Sequence, residues 1–179
     1  MITPSLRAYA QDSASAQFTV TGTAIPVCNL PAPVTAGTAM NATFASNTIT
    51  LPQFIDPQTA LVNQSNLTVQ FPNTLCNYNA TVTLSSKNGG MIASNASAIA
   101  GGSGTFLQKV PYTVAASWGN FSLSLDTTAL SGASNAVSKQ TGGANAGNLA
   151  LTFATQASAI PVAQGTYQDV LTIKVGAPM

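Results

Sequence analysis

Two cysteines and four aspartates are the side chains in this 179-residue chain best suited to covalent, metal or acid–base chemistry, because it contains no His and no Glu. Without His, a Ser-His-Asp or Cys-His nucleophile cannot be assembled. A closed zinc site takes four good ligands, and two cysteines fall short. General acid–base work favours His or a pair of carboxylates. Asp56, Asp126 and Asp169 stand far apart in the sequence, each beside Thr, Gln or Pro at a turn-like position. They read as solvated or capping carboxylates. Trp118 and Tyr112 could form an aromatic sugar platform, though core or loop packing is the commoner use of such residues. The expectation is a chain that is not an enzyme, with no catalytic residue, no metal and no cofactor.

Charge points the same way. Lys and Arg total 5, Asp and Glu total 4, and charged residues make up 5% of the chain, against about a quarter in an ordinary soluble protein. Binding to duplex nucleic acid needs several clustered cations to neutralise phosphates. Here the five are scattered, so no nucleic-acid partner is expected. The chain's 45% apolar content leans on Ala, and Thr, Ser, Asn, Gln and Gly dominate the remainder. Such a surface is solvated by hydroxyls and amides and lacks the charge repulsion that keeps copies apart. It suits close packing against other copies, or an extracellular medium, and the two are compatible. No apolar run approaches the roughly 20 residues of a membrane helix.

Cys28 and Cys76 are the only cysteines. In an exported chain an even count implies one disulfide; in a reducing compartment the same residues would be two buried thiols. Ala8-Tyr9-Ala10 fits the small-x-small pattern before a signal-peptidase cut, although the basic and apolar regions that precede such a site are missing. It is either the remnant of a signal, with a mature start near Gln11, or chance. Six Asn-x-Ser/Thr sequons (Asn41, Asn63, Asn66, Asn79, Asn95 and Asn120) matter only in a eukaryotic source.

The elements that must position these residues read as strands throughout. Heavy use of Thr and the absence of Glu disfavour long helices. Ala16, Phe18 and Val20 alternate with Gln17, Thr19 and Thr21, and Gly22 and Ala24 continue the phase. Residues 29–47 are rich in Pro, Ala and Thr and read as loop with short extended pieces. Ile49 and Leu51 mark a short strand, with Pro52 at an edge or bend. Further alternation appears at Leu67-Val69-Phe71 and at Tyr78-Ala80-Val82-Leu84, the latter followed by a Lys87-Asn88-Gly89-Gly90 turn. Residues 93–104 read as loop. Residues 106–116 form a strand broken at Pro111, and Trp118-Gly119-Asn120 turns into Phe121, Leu123 and Leu125. Residues 131–147 read as loop, Leu149-Leu151-Phe153 as strand, and Tyr167 to Val175 as a final strand after a Gln164-Gly165-Thr166 turn. Seven or eight short strands with turn-rich connections predict an all-β antiparallel sandwich.

Several of these segments together resemble the spore coat protein U domain family, which includes subunits of archaic chaperone–usher pili of Gram-negative bacteria. An alternating segment leads into the first cysteine, from Gln17 to Cys28. The second cysteine opens Cys76-Asn77-Tyr78-Asn79-Ala80-Thr81-Val82-Thr83-Leu84, which ends in the Gly turn. Pro111-Tyr112 and Trp118-Gly119 lie mid-chain. The most specific element is the ending Gly165-Thr166-Tyr167-Gln168-Asp169-Val170-Leu171-Thr172-Ile173-Lys174-Val175, which reads Gly-x-Tyr-x-Asp-x-Leu-Thr-x-x-Val. The resemblance covers residues 14–175.

The resemblance implies an immunoglobulin-like antiparallel β-sandwich that lacks one strand and is completed by a donor strand from a neighbouring subunit. Residues 1–10 would be a signal remnant or flexible terminus, residues 11–26 the donor strand, and residues 27–179 the pilin-type domain. Ala16, Phe18, Val20, Gly22 and Ala24 would be the donor positions, although the same segment could instead be the first strand of its own sandwich. Leu171, Ile173 and Val175 would line the acceptor groove, with Tyr167 packing at its start; all four could equally be ordinary core. The implied function is a structural subunit of an extracellular adhesive pilus. Its implied partners are copies of itself, other pilus subunits, a periplasmic chaperone, an outer-membrane usher, and a host or abiotic surface. The alternative is a tip adhesin or a carbohydrate- or surface-binding module.

Overall fold

The computed structural model describes residues 14–94, 106–128 and 135–177, and every regular element among them is a β-strand. In chain order these are β1 (Cys28–Asn29), β2 (Val34–Met40), β3 (Thr43–Ala45), β4 (Thr48–Thr50), β5 (Ser65–Cys76), β6 (Thr81–Ser86) and β7 (Met91–Ala93). They continue with β8 (Lys109–Val110), β9 (Thr113–Trp118), β10 (Phe121–Asp126), β11 (Ala136–Gln140), β12 (Asn145–Thr155), β13 (Tyr167–Gln168) and β14 (Leu171–Gly176). The expected all-β class holds. The expected Ala8–Ala10 cleavage pattern lies outside the described residues.

A six-stranded antiparallel sheet runs β5, β12, β9, β10 from its long strand outward. Since β12 occupies one side of β5 along its whole length, β1 and β2 both lie on the other side, end to end. A second sheet is β11-β6-β14. The small units β13-β7-β8 and β3-β4 complete the described strands.

Period-two patterning explains the central strands. In β5, Leu67, Val69 and Phe71 are buried while the intervening residues are half-exposed, and Val82, Leu84 and Ser86 repeat this in β6. The two buried rows face each other. The main apolar cluster joins Phe71, Val114, Trp118, Leu149 and Phe153 of the larger sheet to Val82 and Leu84 of the smaller one. Trp118 closes β9, and Gly119, with φ of 59°, takes the first central position of the two-residue turn into Phe121. A left-handed residue there is what a type II′ hairpin needs, and glycine supplies it without steric cost.

Two predicted loops are in fact strands. Residues 29–47 contain β2 and β3, and the segment 131–147 contains β11 and the start of β12. Both β2 and β11 are edge strands, and their side chains are almost all exposed. They are held by backbone pairing to β5 and β6, so no buried face marks them in the sequence. The final segment also divides. Tyr167–Gln168 pairs with β7, and Leu171–Gly176 pairs with β6.

Cys28 and Cys76 are disulfide-bonded across the β1–β5 ladder, where they are register partners, and the bond closes 48 positions. Buried thiols are thereby replaced by a covalent rung. In denaturant the protein is expected to show no free thiol before reduction. Reduction should lower its stability by roughly 4 kcal/mol on the chain-entropy account, read as a drop in the urea midpoint.

Candidate functional site

The two ends of the chain are the unusual parts of this fold. Residues 14–26 enter no strand, and every one of them is exposed. Phe18 is 88% exposed and Val20 94%, and a side chain built at Gly22 would meet nothing within 4 Å. The arm thus carries an apolar row, Ala16, Phe18, Val20 and Ala24, that joins no core among the described residues. Large apolar side chains left in water cost about 1.5–3 kcal/mol each relative to burial.

At the other end, β14 pairs with β6 on one side only. Its register sets Leu171 opposite Ser86, Ile173 opposite Leu84 and Val175 opposite Val82. Directly opposed residues share a face, so all three point into the core. Their β6 partners are buried, yet all three β14 residues are only half-buried. Leu30, Ile49 and Leu51 pack against the same cluster and are likewise half-buried. Leu30 also borders one depression with Val175, Gly176 and Ala177, which brings the residue after β1 beside the end of β14. Core-facing side chains on both sides of this seam therefore remain partly open, next to strand edges that pair with nothing among the described residues.

The opposite seam, between β10 and β11, is bridged by a lysine, although its core-facing Leu123 and Val137 are also half-buried. Lys139 of β11 is the register partner of buried Val82, so it leaves the strand on the core side, and its side chain stays exposed along the edge. Its Nζ donates to the Ser122 carbonyl of β10 at 3.0 Å and lies 5.6 Å from the Phe121 ring centroid. An inward-directed charge at a sheet edge blocks further pairing. The depression beside Leu30 and Val175 is itself bordered by Lys139 and Lys174, so its outer rim is cationic while Leu171, Ile173 and Val175 supply the apolar wall of the seam.

Tyr167 is placed elsewhere. It packs with Phe54 at a ring distance of 5.2 Å, against a separate cluster of Val62, Val110 and Val162, and its hydroxyl donates to the Leu107 and Ala163 carbonyls. Trp118 and Tyr112 are both buried, so neither offers a face to a sugar. Asp56 and Asp126 cap turns: Asp56 accepts from the Gln58 and Thr59 amides and the Thr59 hydroxyl, and Asp126 accepts from the Thr128 amide. The Thr59 hydroxyl, then the two amides, holds the Asp56 carboxyl below its ordinary value.

Asp169 does more than cap. Its carboxylate accepts from the Ser86 hydroxyl, the Tyr112 hydroxyl at 2.7 Å, and the amides of Asn88, Gly90 and Val170. These donors come from the end of β6, the β6–β7 turn, and the residues just before β9 and β14. Burial, with the adjacent carboxylate, pushes the Tyr112 phenol well above its usual value, so it stays a donor. Nothing in the local sequence announced this junction, since its partners outside the immediate neighbourhood lie 57 to 83 positions away. Among the described residues no three His, Cys, Asp or Glu side chains gather to hold a metal.

Compared with known proteins, the chain matches no family model, no curated protein and no solved structure.

Proposed function

We propose that this chain is a structural subunit of an extracellular fibre that polymerises by donor-strand exchange. In this reading the two facing sheets are an incomplete immunoglobulin-like sandwich. The seam between β14 and the β1–β2 edge is the vacant strand position, and the arm at residues 14–26 fills that position in a neighbouring copy. Phe18 and Val20 would enter between Leu171, Ile173 and Val175 on one side and Leu30, Ile49 and Leu51 on the other. Backbone groups of the arm would pair with the two free edges, which is strand addition used as assembly. The observation that carries the reading is the coexistence, in one chain, of an exposed apolar arm and a half-open apolar seam. Each supplies what the other lacks.

The resemblance to the spore coat protein U domain family agrees with it. An open apolar edge is an aggregation hazard before assembly. A periplasmic chaperone that occupies the groove, and an outer-membrane usher that exchanges it for the next arm, are the partners this reading requires. The finished fibre would lie at the cell surface.

The test is a denaturing gel of purified protein with and without boiling. Several apolar plugs and a row of backbone bonds dissociate slowly, so a ladder of multimers that collapses on heating is expected. A single monomer band in both lanes, from a folded sample, overturns the proposal.

A further inference from the structure

Between the free arm and the disulfide, the side chain of Asn77 holds the root of the arm. Its Oδ1 accepts from the Val27 amide at 2.8 Å, and its Nδ2 donates to the Ile25 carbonyl at 2.8 Å. The Asn77 amide in turn donates to the Val27 carbonyl at 3.0 Å. Pro26 lies between the two residues so held. Proline has no N–H to give a ladder, fixes its own φ, and keeps the preceding residue extended. The Asn77 amide group spans this gap. It serves as a side-chain rung that continues the β1–β5 ladder one step beyond the Cys28–Cys76 pair. Four consecutive residues, Ile25 to Cys28, are thereby tied to the end of β5 by three hydrogen bonds and a covalent bond. The tie is specific to the amide. A carboxylate could accept from Val27 but could not donate to Ile25, and a methyl could do neither.

We propose that Asn77 is a positioning residue that fixes the heading at which the arm leaves the body, and so sets the angle between successive copies. This rests on the reading of residues 14–26 as a donated strand. With Ala16 to Ala24 seated in the neighbour, the joint between two copies is then narrowed to the junction between Ala24, the last donor position, and the clamped Ile25.

The experiment compares the full chain with Asn77→Ala and Asn77→Asp in two readouts. In amide hydrogen exchange, the Val27 amide is expected to exchange on the order of tenfold faster in Asn77→Ala. The Leu67 and Val69 amides of β5 should not change, since Asn77 is exposed and outside the core. Asn77→Asp keeps the Val27 bond and loses the Ile25 bond, so its exchange at Val27 should stay near wild type. In electron micrographs of multimers, both variants should show a wider spread of angles between neighbouring copies. Unchanged exchange at Val27 in Asn77→Ala, or an unchanged angular spread in both variants, overturns the assignment. If wild-type protein forms no multimers, the donated-strand reading falls, and the angle assignment falls with it. The exchange result then decides separately whether Asn77 clamps the root.

Discussion

Phe18→Asp is expected to remove the heat-sensitive ladder while leaving the body of the protein as stable as before. Phe18 is 88% exposed and joins no core cluster among the described residues. A substitution there should shift the urea midpoint by no more than an ordinary surface change, within about 0.5 kcal/mol. In a neighbour's groove the same position would lose the burial of a large ring, about 1.5–3 kcal/mol. It would also force an unpaired carboxylate to shed water among Leu and Ile side chains. Even about 3 kcal/mol corresponds to a roughly hundredfold loss of affinity. Gln17→Asp provides the contrast. It sits one residue away, on the opposite face of an extended arm, and should leave the ladder in place. A Phe18→Asp ladder equal to wild type would refute the donor role of that residue.

Periodicity reports whether one face of a segment is apolar, and not which chain supplies the partner face. That is why the alternation from Ala16 to Ala24 reads as a strand in the sequence although the segment enters none in the structure. Among the described residues it pairs with nothing. The central strands were legible for the same reason that they are central: Leu67-Val69-Phe71 and Leu149-Leu151-Phe153 are buried on alternate residues. The edge strands were not. In β2 only Ala36 is better than exposed, and in β11 only Val137 is. Such strands are specified by the backbone of their neighbour, which leaves no trace in their own side chains. The half-open state of Leu171, Ile173 and Val175 was also beyond the sequence, because a groove wall and a buried core strand are written in the same residues. Asp169 shows the complementary limit. A carboxylate with one charged neighbour in sequence can be recognised, whereas one satisfied by distant hydroxyls and turn amides cannot.

Asp169 also permits a test from the acceptor side. Among the described residues β14 has a single strand neighbour, and the carboxylate at its head ties it to the residue before β9 and to the β6–β7 turn. In Asp169→Asn the new NH2 group would confront hydroxyl and amide donors in place of an acceptor oxygen. With at least two partly buried donors left unsatisfied at about 1–3 kcal/mol each, the expected loss is roughly 2–6 kcal/mol, measured by urea unfolding. Tyr112→Phe, which removes one donor and keeps the ring, should cost about 1 kcal/mol and leave assembly intact. Since Asp169 is remote from the arm, the two damaging substitutions should fail at opposite ends of the same joint. Phe18→Asp protein keeps its seam and can still accept an arm. Asp169→Asn protein keeps its arm but presents a loosened β14. Each alone should give monomers, and a mixture should give a dimer of one copy of each that grows no further. A mixture that stays monomeric, with both variants folded, would show that the arm and the β14 seam are not the two halves of one contact.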